Sequence, residues 1–292
     1  MISTLYGKAY GKINIGLDVL GKRPDGYHEV KMIMQTVSLH DRITLSINPN
    51  HSDIELETNL NFLPKNENNI VYKAAKLLKD EFQIKEGFQI KLEKHIPVAA
   101  GMAGGSTDAA TTLELINELL SLGLSREDLM KRAVLLGADV PYCIMRGTAL
   151  SEGIGEILTP LPSLMPCYIL IVKPPIYVST KFVYEHLQLN EQLKHPDIDQ
   201  ITKAIETGNR TKMIQNMGNV LESVTEKSYP VITSIKELMI SHGALTSLMS
   251  GSGPTVFGLY ESEESINQAA ASFKATYPAY RTYITTPIDR MY

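Results

Sequence analysis

Between Pro97 and Ala110 the sequence reads PVAAGMAGGSTDAA, with the small residues Gly101, Ala103, Gly104 and Gly105 standing just ahead of a helix start predicted at Ser106 and Thr107. Side chains this small let backbone N–H groups come close to an anion. The first turn of a helix adds unpaired donors and about half a positive charge. The segment can therefore cradle phosphate, with a flexible glycine-rich connection as the plainer alternative. It is not one of the common cradles. Lys8, Lys12 and Lys22 each follow a glycine but precede Ala9, Ile13 and Arg23, so the hydroxyl of a P-loop is missing. Gly153-Ile154-Gly155 and Gly251-Ser252-Gly253 both lack the third glycine of a dinucleotide fingerprint. The H-R-D and D-F-G elements of protein kinases and the H-E-x-x-H zinc pattern do not occur.

Four other segments carry residues capable of chemistry. Lys12, in YGKINIGL, stands at the head of an apolar strand that would fix its direction; an edge-strand lysine that discourages aggregation has the same pattern. Asp139, in LGADVPYC, follows a glycine that ends a helix, where an aspartate serves either as a local cap or as a base. Asp25-Gly26-Tyr27-His28 sets an aromatic ring beside an imidazole after a turn, a pair able to stack on a base and bond its edge, or simply to pack. Met249 to Thr255, MSGSGPT, reads as a tight hairpin turn or as a second ligand loop.

These residues need elements to hold them. Runs at Lys12–Leu20, Val30–Val37 and Arg42–Ile47 predict strands, with a turn at Arg23-Pro24-Asp25-Gly26. Apolar residues at helical spacing predict a helix over 69–82, followed by an alternating strand at Phe88, Ile90 and Leu92 that leads into the small-residue loop. Ala109, Ala110, Leu113, Ile116 and Leu120 form the buried stripe of the next helix. Ser125 with Asp128 predicts a capping box for another, ending near Gly137. Pro160, Pro162 and Pro166 mark a boundary between Thr159 and Pro166, which divides the chain into 1–160 and 161–292. Beyond it, strands at 168–172, 244–249, 255–260 and 281–286, with helices at 230–242 and 263–277, give the order of a ferredoxin-like α+β layer with extra helices inserted.

With 292 residues, 43% of them hydrophobic, the chain can bury a sizeable core. A net charge of −4 argues against a general nucleic-acid binder, so a phosphate site must concentrate positive potential locally. Two cysteines, Cys143 and Cys167, an opening without a secretory signal and no apolar run of spanning length predict a reduced, cytoplasmic protein with no membrane partner. The Asn209-Arg210-Thr211 sequon is then without consequence.

In order, KINIGLDVLGKRPDGYHEV, PVAAGMAGGSTDAA, GADVPYCIMRGTALSEGIGE and LMSGSGPTVFGLY resemble the GHMP family of small-molecule kinases over essentially the whole chain. The Gly-Tyr-His piece resembles the branch acting on cytidine diphosphate methylerythritol, as against the homoserine and mevalonate kinases or a non-catalytic sensor. The resemblance implies an α+β, two-domain GHMP kinase fold, with an N-terminal ATP-binding domain like the second domain of ribosomal protein S5 and a C-terminal ferredoxin-like domain. It implies phosphorylation of the 2-hydroxyl of that substrate by ATP, with magnesium. Lys12 and Asp139 become the catalytic pair, and Pro97, Val98, Ala99, Ala100, Gly101, Met102, Ala103, Gly104, Gly105, Ser106 and Thr107 hold the ATP phosphates. Asn69 and Lys94 fall near the adenosine end, and Asn14 beside the diphosphate or polyol. Tyr27, His28 and Tyr184 contact the cytosine, and Gly251, Ser252 and Gly253 line the substrate cleft. Two departures stand out: Tyr10-Gly11 where the family has Pro-Ala, and Met102-Ala103 where many members have Leu-Gly. Ala103 disfavours a positive φ at that point.

Overall fold

The computed structural model describes residues 4–289. Two compact units divide the chain. The first takes the chain up to Gly11, Leu39–Val98 and Ala103–Met145; the second takes Lys12–Ser38, Ala99–Met102 and the chain from Arg146 on. Both strands that open the fold, β1 (Thr4–Lys22) and β2 (His28–Asn48), pass from one unit into the other.

In the first unit β3 (Ile54–Thr58) runs parallel to β4 (Gly87–Glu93), and β4 pairs antiparallel with β2 from Arg42↔Glu93 to Asn48↔Gly87. Phe88, Ile90 and Leu92 alternate inward along β4, as their spacing predicts. Between the two strands, α1 (Ile70–Glu81) is capped by Asn69 and packs against α2 (Gly104–Leu119). Val71, Ala74, Ala75 and Leu78 of α1 are buried, as are Ala109, Ala110, Leu113 and Ile116 of α2. The capping box of Ser125 and Asp128 starts α3 (Arg126–Ala133), and α4 (Val140–Met145) follows at once with every residue buried.

Two expectations fail here for physical reasons. The predicted break between Val37 and Arg42 does not exist: β2 runs straight through Asp41, which is fully buried because its carboxylate finds partners in Lys94 and in the N–H groups of His95 and Ile96. And α2 begins at Gly104, two residues before the predicted hydroxyl cap, with Ala103 at φ 54°, ψ 30° and no side-chain cap. An alanine in the left-handed region costs about 1–2 kcal/mol, and without a side-chain cap the first N–H groups of α2 have no side-chain acceptor at Ala103.

In the second unit β5 (Thr148–Gly153) joins β2 antiparallel at Val30–Gln35, and β6 (Ile157–Pro160) extends it. The second sheet has the antiparallel order β11 (Arg281–Thr285), β7 (Tyr168–Lys173), β10 (Val256–Tyr260), β9 (Thr246–Met249), with α10 (Glu263–Thr276) between β10 and β11 in sequence. That is the ferredoxin-like order. The segment between β7 and β9 supplies α5 (Thr180–His186), α6 (Ile198–Glu206), α7 (Arg210–Asn216), β8 (Gly218–Asn219), α8 (Glu222–Ser228) and α9 (Val231–Ser241), the last packing against β9 and β10. Within it, β8 belongs to the first sheet, pairing parallel with β1 at Gly16↔Gly218 and Leu17↔Asn219.

Candidate active site

The phosphate-loop residues of the first unit are Pro97, Val98 and Ala103 to Thr107. No acidic residue lies in the first turn of α2, and Gly105 is exposed at its start. Unpaired N–H donors without a competing carboxylate favour an anion there. Lys94 lies directly beneath: a Cβ built on Gly104 would sit 3.2 Å from its Nζ, a tight contact that the glycine avoids. Lys94 itself stands between the carboxylates of Asp41 and Asp108. Asn69 uses both halves of its amide, Oδ1 accepting from Val71 N at 2.9 Å and Nδ2 donating to Pro64 O at 2.8 Å. It thereby holds the start of α1, whose Ile70 lies against Gly105. Asp139 precedes α4, its carbonyl accepting from Cys143 N at 3.2 Å; among the described residues its carboxylate takes no hydrogen bond or ion pair.

The second unit gathers a different set. Lys12 and Asn14 are buried on β1, and Lys12 Nζ donates to Asn14 Oδ1 at 2.6 Å. Asn14 Nδ2 in turn donates to Met32 Sδ at 3.3 Å. No carboxylate pairs with Lys12 among the described residues, so an ammonium with three donors has one protein acceptor and keeps capacity for an anionic ligand. Its backbone N–H donates to Met102 O at 3.1 Å, and Ser250 Oγ donates to Gly101 O at 2.9 Å. Gly101, at φ 68°, leaves no room for a Cβ against the Ser250 carbonyl, and a Cβ on Gly251 would lie 3.7 Å from Asn14 Oδ1. Lys12, Asn14, Ala99 to Met102 and the Gly251–Gly253 turn are thus one cluster.

The aromatic segment also belongs to this unit. Arg23 N donates to Tyr27 O, Tyr27 N to Asp25 Oδ1, and the Arg23 guanidinium pairs with Asp25 and Glu29, which together fix the turn. Tyr27 projects with 60% exposure. The His28 ring stands 5.0 Å from the Tyr184 ring of α5, tilted by 42°. Partial burial, and then the charge of Lys22, lower the His28 pKa, so its imidazole is neutral at neutral pH and offers one donor and one acceptor. Thr180 Oγ1 lies 2.8 Å from Ser252 Oγ, tying the helix that bears Tyr184 to the glycine turn.

The sequence matches the GHMP kinases N terminal domain over residues 69–147 and the GHMP kinases C terminal domain over residues 190–279. The chain belongs to the GHMP kinases. This GHMP kinase is 60% identical, over 95% of each chain, to the 4-diphosphocytidyl-2-C-methyl-D-erythritol kinase of Lachnoclostridium phytofermentans. It is 56% identical to the enzyme of the same name from Lachnospira eligens, over 89% of this chain and 90% of that one. It also superposes with a TM-score of 0.82 and 31% identity on a crystal structure of 4-(cytidine 5'-diphospho)-2C-methyl-D-erythritol kinase, covering 97% of this chain and 99% of the other.

This GHMP kinase further relies on residues that sequence reasoning missed. Asn219 of β8 donates from Nδ2 to both Met249 O and Gly251 O, each at 2.8 Å, while its Oδ1 accepts from Leu221 N at 3.0 Å. It is a buried clamp on the glycine turn, and a single asparagine in an irregular stretch gives no sign of this in the sequence. Asn219→Ala leaves two buried carbonyls without donors, costing about 1–3 kcal/mol in a denaturant titration. The loosened turn lowers kcat/KM roughly tenfold, about 1.4 kcal/mol. Steady-state kinetics beside the titration check both values.

Proposed function

We propose that this GHMP kinase transfers the γ-phosphoryl group of ATP to the 2-hydroxyl of 4-diphosphocytidyl-2-C-methyl-D-erythritol, giving the 2-phosphate and ADP in non-mevalonate isoprenoid precursor synthesis. The observation that carries the reading is that the second unit holds a buried lysine without a carboxylate partner, and the uncapped, acid-free helix start of the first unit supports it separately. The relatives' names supply the substrate, and the His28–Tyr184 ring pair supports a planar base as its recognised end. The two family matches fall either side of residue 160, which supports an ATP-binding part at 1–160 and a ferredoxin-like part at 161–292.

Phosphoryl transfer has a loose transition state in most analyses and depends on positioning and charge stabilisation. The acceptor oxygen bonds to the γ-phosphorus, the bond from that phosphorus to the β,γ-bridging oxygen breaks, and ADP leaves. Asp139 orients the hydroxyl and takes its proton late in the transfer, since a carboxylate is too weak a base to ionise an alcohol beforehand. Lys12 steadies the negative charge on the oxygens, and Asn14 orients Lys12. Pro97 to Thr107 receive the phosphates through backbone N–H groups, with Asn69 and Lys94 supporting the adenosine side. Tyr27, His28 and Tyr184 hold the cytosine, and Gly251, Ser252 and Gly253 border the acceptor. Among the described residues no group of three His, Cys, Asp or Glu gathers to hold a metal. The hydroxyl oxygens of Ser106 and Thr107 suit magnesium, a cation that takes oxygen ligands: either would serve as protein ligand to an ion carried by the ATP phosphates, which would neutralise phosphate charge.

Release of ADP by the purified protein with ATP and each of the cytidyl substrate, homoserine and mevalonate tests the reading. Turnover with the first alone is expected. Preferential turnover of another alcohol, or ATP binding without turnover of any, overturns it in favour of another family substrate or a sensor.

A further inference from the structure

Within the second unit, a row of residues spaced by three holds the glycine turn from one side. Asn219 of β8, then Glu222 and Thr225 of α8, all reach the segment 249–252. Asn219 Nδ2 donates to the carbonyls of Met249 and Gly251, and Thr225 Oγ1 donates to the carbonyl of Ser252 at 3.4 Å. Glu222 takes a donor instead. Its Oε1 accepts from the Met249 N–H at 2.6 Å, so Met249 is fixed at both its main-chain polar groups, the N–H by Glu222 and the carbonyl by Asn219.

The carboxylate is itself anchored. Glu222 Oε2 accepts from Lys236 Nζ of α9 at 2.6 Å, and the same ammonium donates at 2.7 Å to Glu226 Oε1, one turn further along α8. The Glu222 side chain is 13% exposed. Burying a carboxylate this far costs free energy that an apolar side chain does not, and an ammonium offsets the cost only in good geometry. What the charge adds is a stronger, more closely aimed hydrogen bond than a neutral acceptor gives. Met249 closes β9, the edge strand of its sheet, and an edge leaves main-chain donors without a strand to pair with. Water satisfies such a donor without fixing it; a carboxylate anchored by a lysine fixes it.

The place of Met249 matters because of what the turn after it lies against. Ser250 N donates to Thr255 O and Gly253 N to Ser250 O, which ties the turn to the strand ends on either side. Gly251, at φ 58°, faces Asn14: a Cβ there would lie 3.7 Å from Asn14 Oδ1, the same oxygen that accepts from Lys12 Nζ. A displaced turn therefore displaces the neighbour of the Lys12–Asn14 pair. We infer that Glu222 is a positioning residue for the phosphoryl transfer: through the Met249 N–H it sets the Gly251–Gly253 turn against the Lys12–Asn14 pair, with Lys236 as its anchor. The inference rests on the reading that Lys12 and this turn border the reacting groups. Glu222 acts through the main chain. Its loss is read in kcat more than in either KM, since a misplaced wall of the site spoils alignment in the transition state and leaves the contacts that bind the two substrates in place.

The test compares the intact wild-type chain with Glu222→Ala, Glu222→Gln and Glu226→Gln by steady-state kinetics well below the melting temperature, by thermal melting and by hydrogen exchange at the Met249 amide. Glu222→Ala should lower kcat about tenfold, with the KM for ATP and for the cytidyl substrate within about twofold of wild type. Its Met249 amide should exchange faster. Glu222→Gln keeps an oxygen for that amide and should restore most of kcat and most of the protection. Glu226→Gln breaks the other bond of Lys236 without touching Met249, so it should lower the melting temperature and leave kcat alone. A Glu222→Ala protein with the kcat of wild type, or with its Met249 amide equally protected, would overturn the inference. So would an equal fall of kcat in Glu226→Gln, no rescue by glutamine, or a Glu222→Ala chain that does not fold, since each makes Glu222 a structural residue alone. A wild-type protein that turns over no alcohol sinks the proposed function instead. The exchange measurement then still decides whether Glu222 holds the turn, a faster Met249 amide in Glu222→Ala keeping that contact and an unchanged one removing it.

Discussion

Asp139→Asn should lower kcat by roughly 10²–10⁴, the usual contribution of a proton-transfer group, with the KM for ATP near the wild-type value. The substitution keeps the shape of the side chain and removes the carboxylate that, in the proposed mechanism, takes the hydroxyl proton. It should also be benign to the fold. The carboxylate makes no hydrogen bond or ion pair among the described residues, and what Asp139 gives α4 is its backbone carbonyl, which asparagine retains. Melting temperature and kcat should thus come apart, one unchanged and the other collapsed. Steady-state kinetics beside a thermal melt check this, and unchanged turnover would take Asp139 out of the mechanism.

His28→Ala should raise the KM for the cytidyl substrate about ten- to a hundredfold, the loss of one or two hydrogen bonds worth about 1.4 kcal/mol per factor of ten. The KM for ATP should barely move. His28 sits at the head of β2, held by the Arg23–Asp25–Glu29 turn on one side and beside the Tyr184 ring on the other, so truncation removes the proposed base contact without disturbing β1 or the phosphate loop. Because its pKa is lowered, wild-type affinity should be level through neutral pH and weaken only as acid protonates the ring. Titrations of both substrates over pH 5.5 to 8 measure this; equal weakening of the two ligands would contradict the assignment.

The glycine-rich loops were legible as loops because glycine and small residues have strong local meaning. The cap at Ser125 and the strand and helix order of the second sheet were legible for the same reason, since each follows from neighbouring residues. What escaped depends on partners far away in sequence. Asp41 looks like the end of a strand until Lys94 and the 95–96 backbone are brought to it, and then it is the reason β2 continues. Asn219 reads as loop until it meets the carbonyls of residues 249 and 251. Ala103 is a poor residue for a positive φ, and the helix nonetheless starts there, ahead of the hydroxyls that usually mark such a start. The short strand β3 and the pair β5 and β6 lack strong patterns of their own and form by pairing with β4 and β2.

The most direct measurement of the central claim is phosphorus NMR of a reaction containing the protein, ATP, magnesium and 4-diphosphocytidyl-2-C-methyl-D-erythritol, with carbon coupling to locate the new ester. One phosphomonoester on the C2 oxygen, formed in step with loss of the γ-phosphate signal and appearance of ADP, is the expected spectrum. Free phosphate as the main product, or an ester on another oxygen, would contradict it.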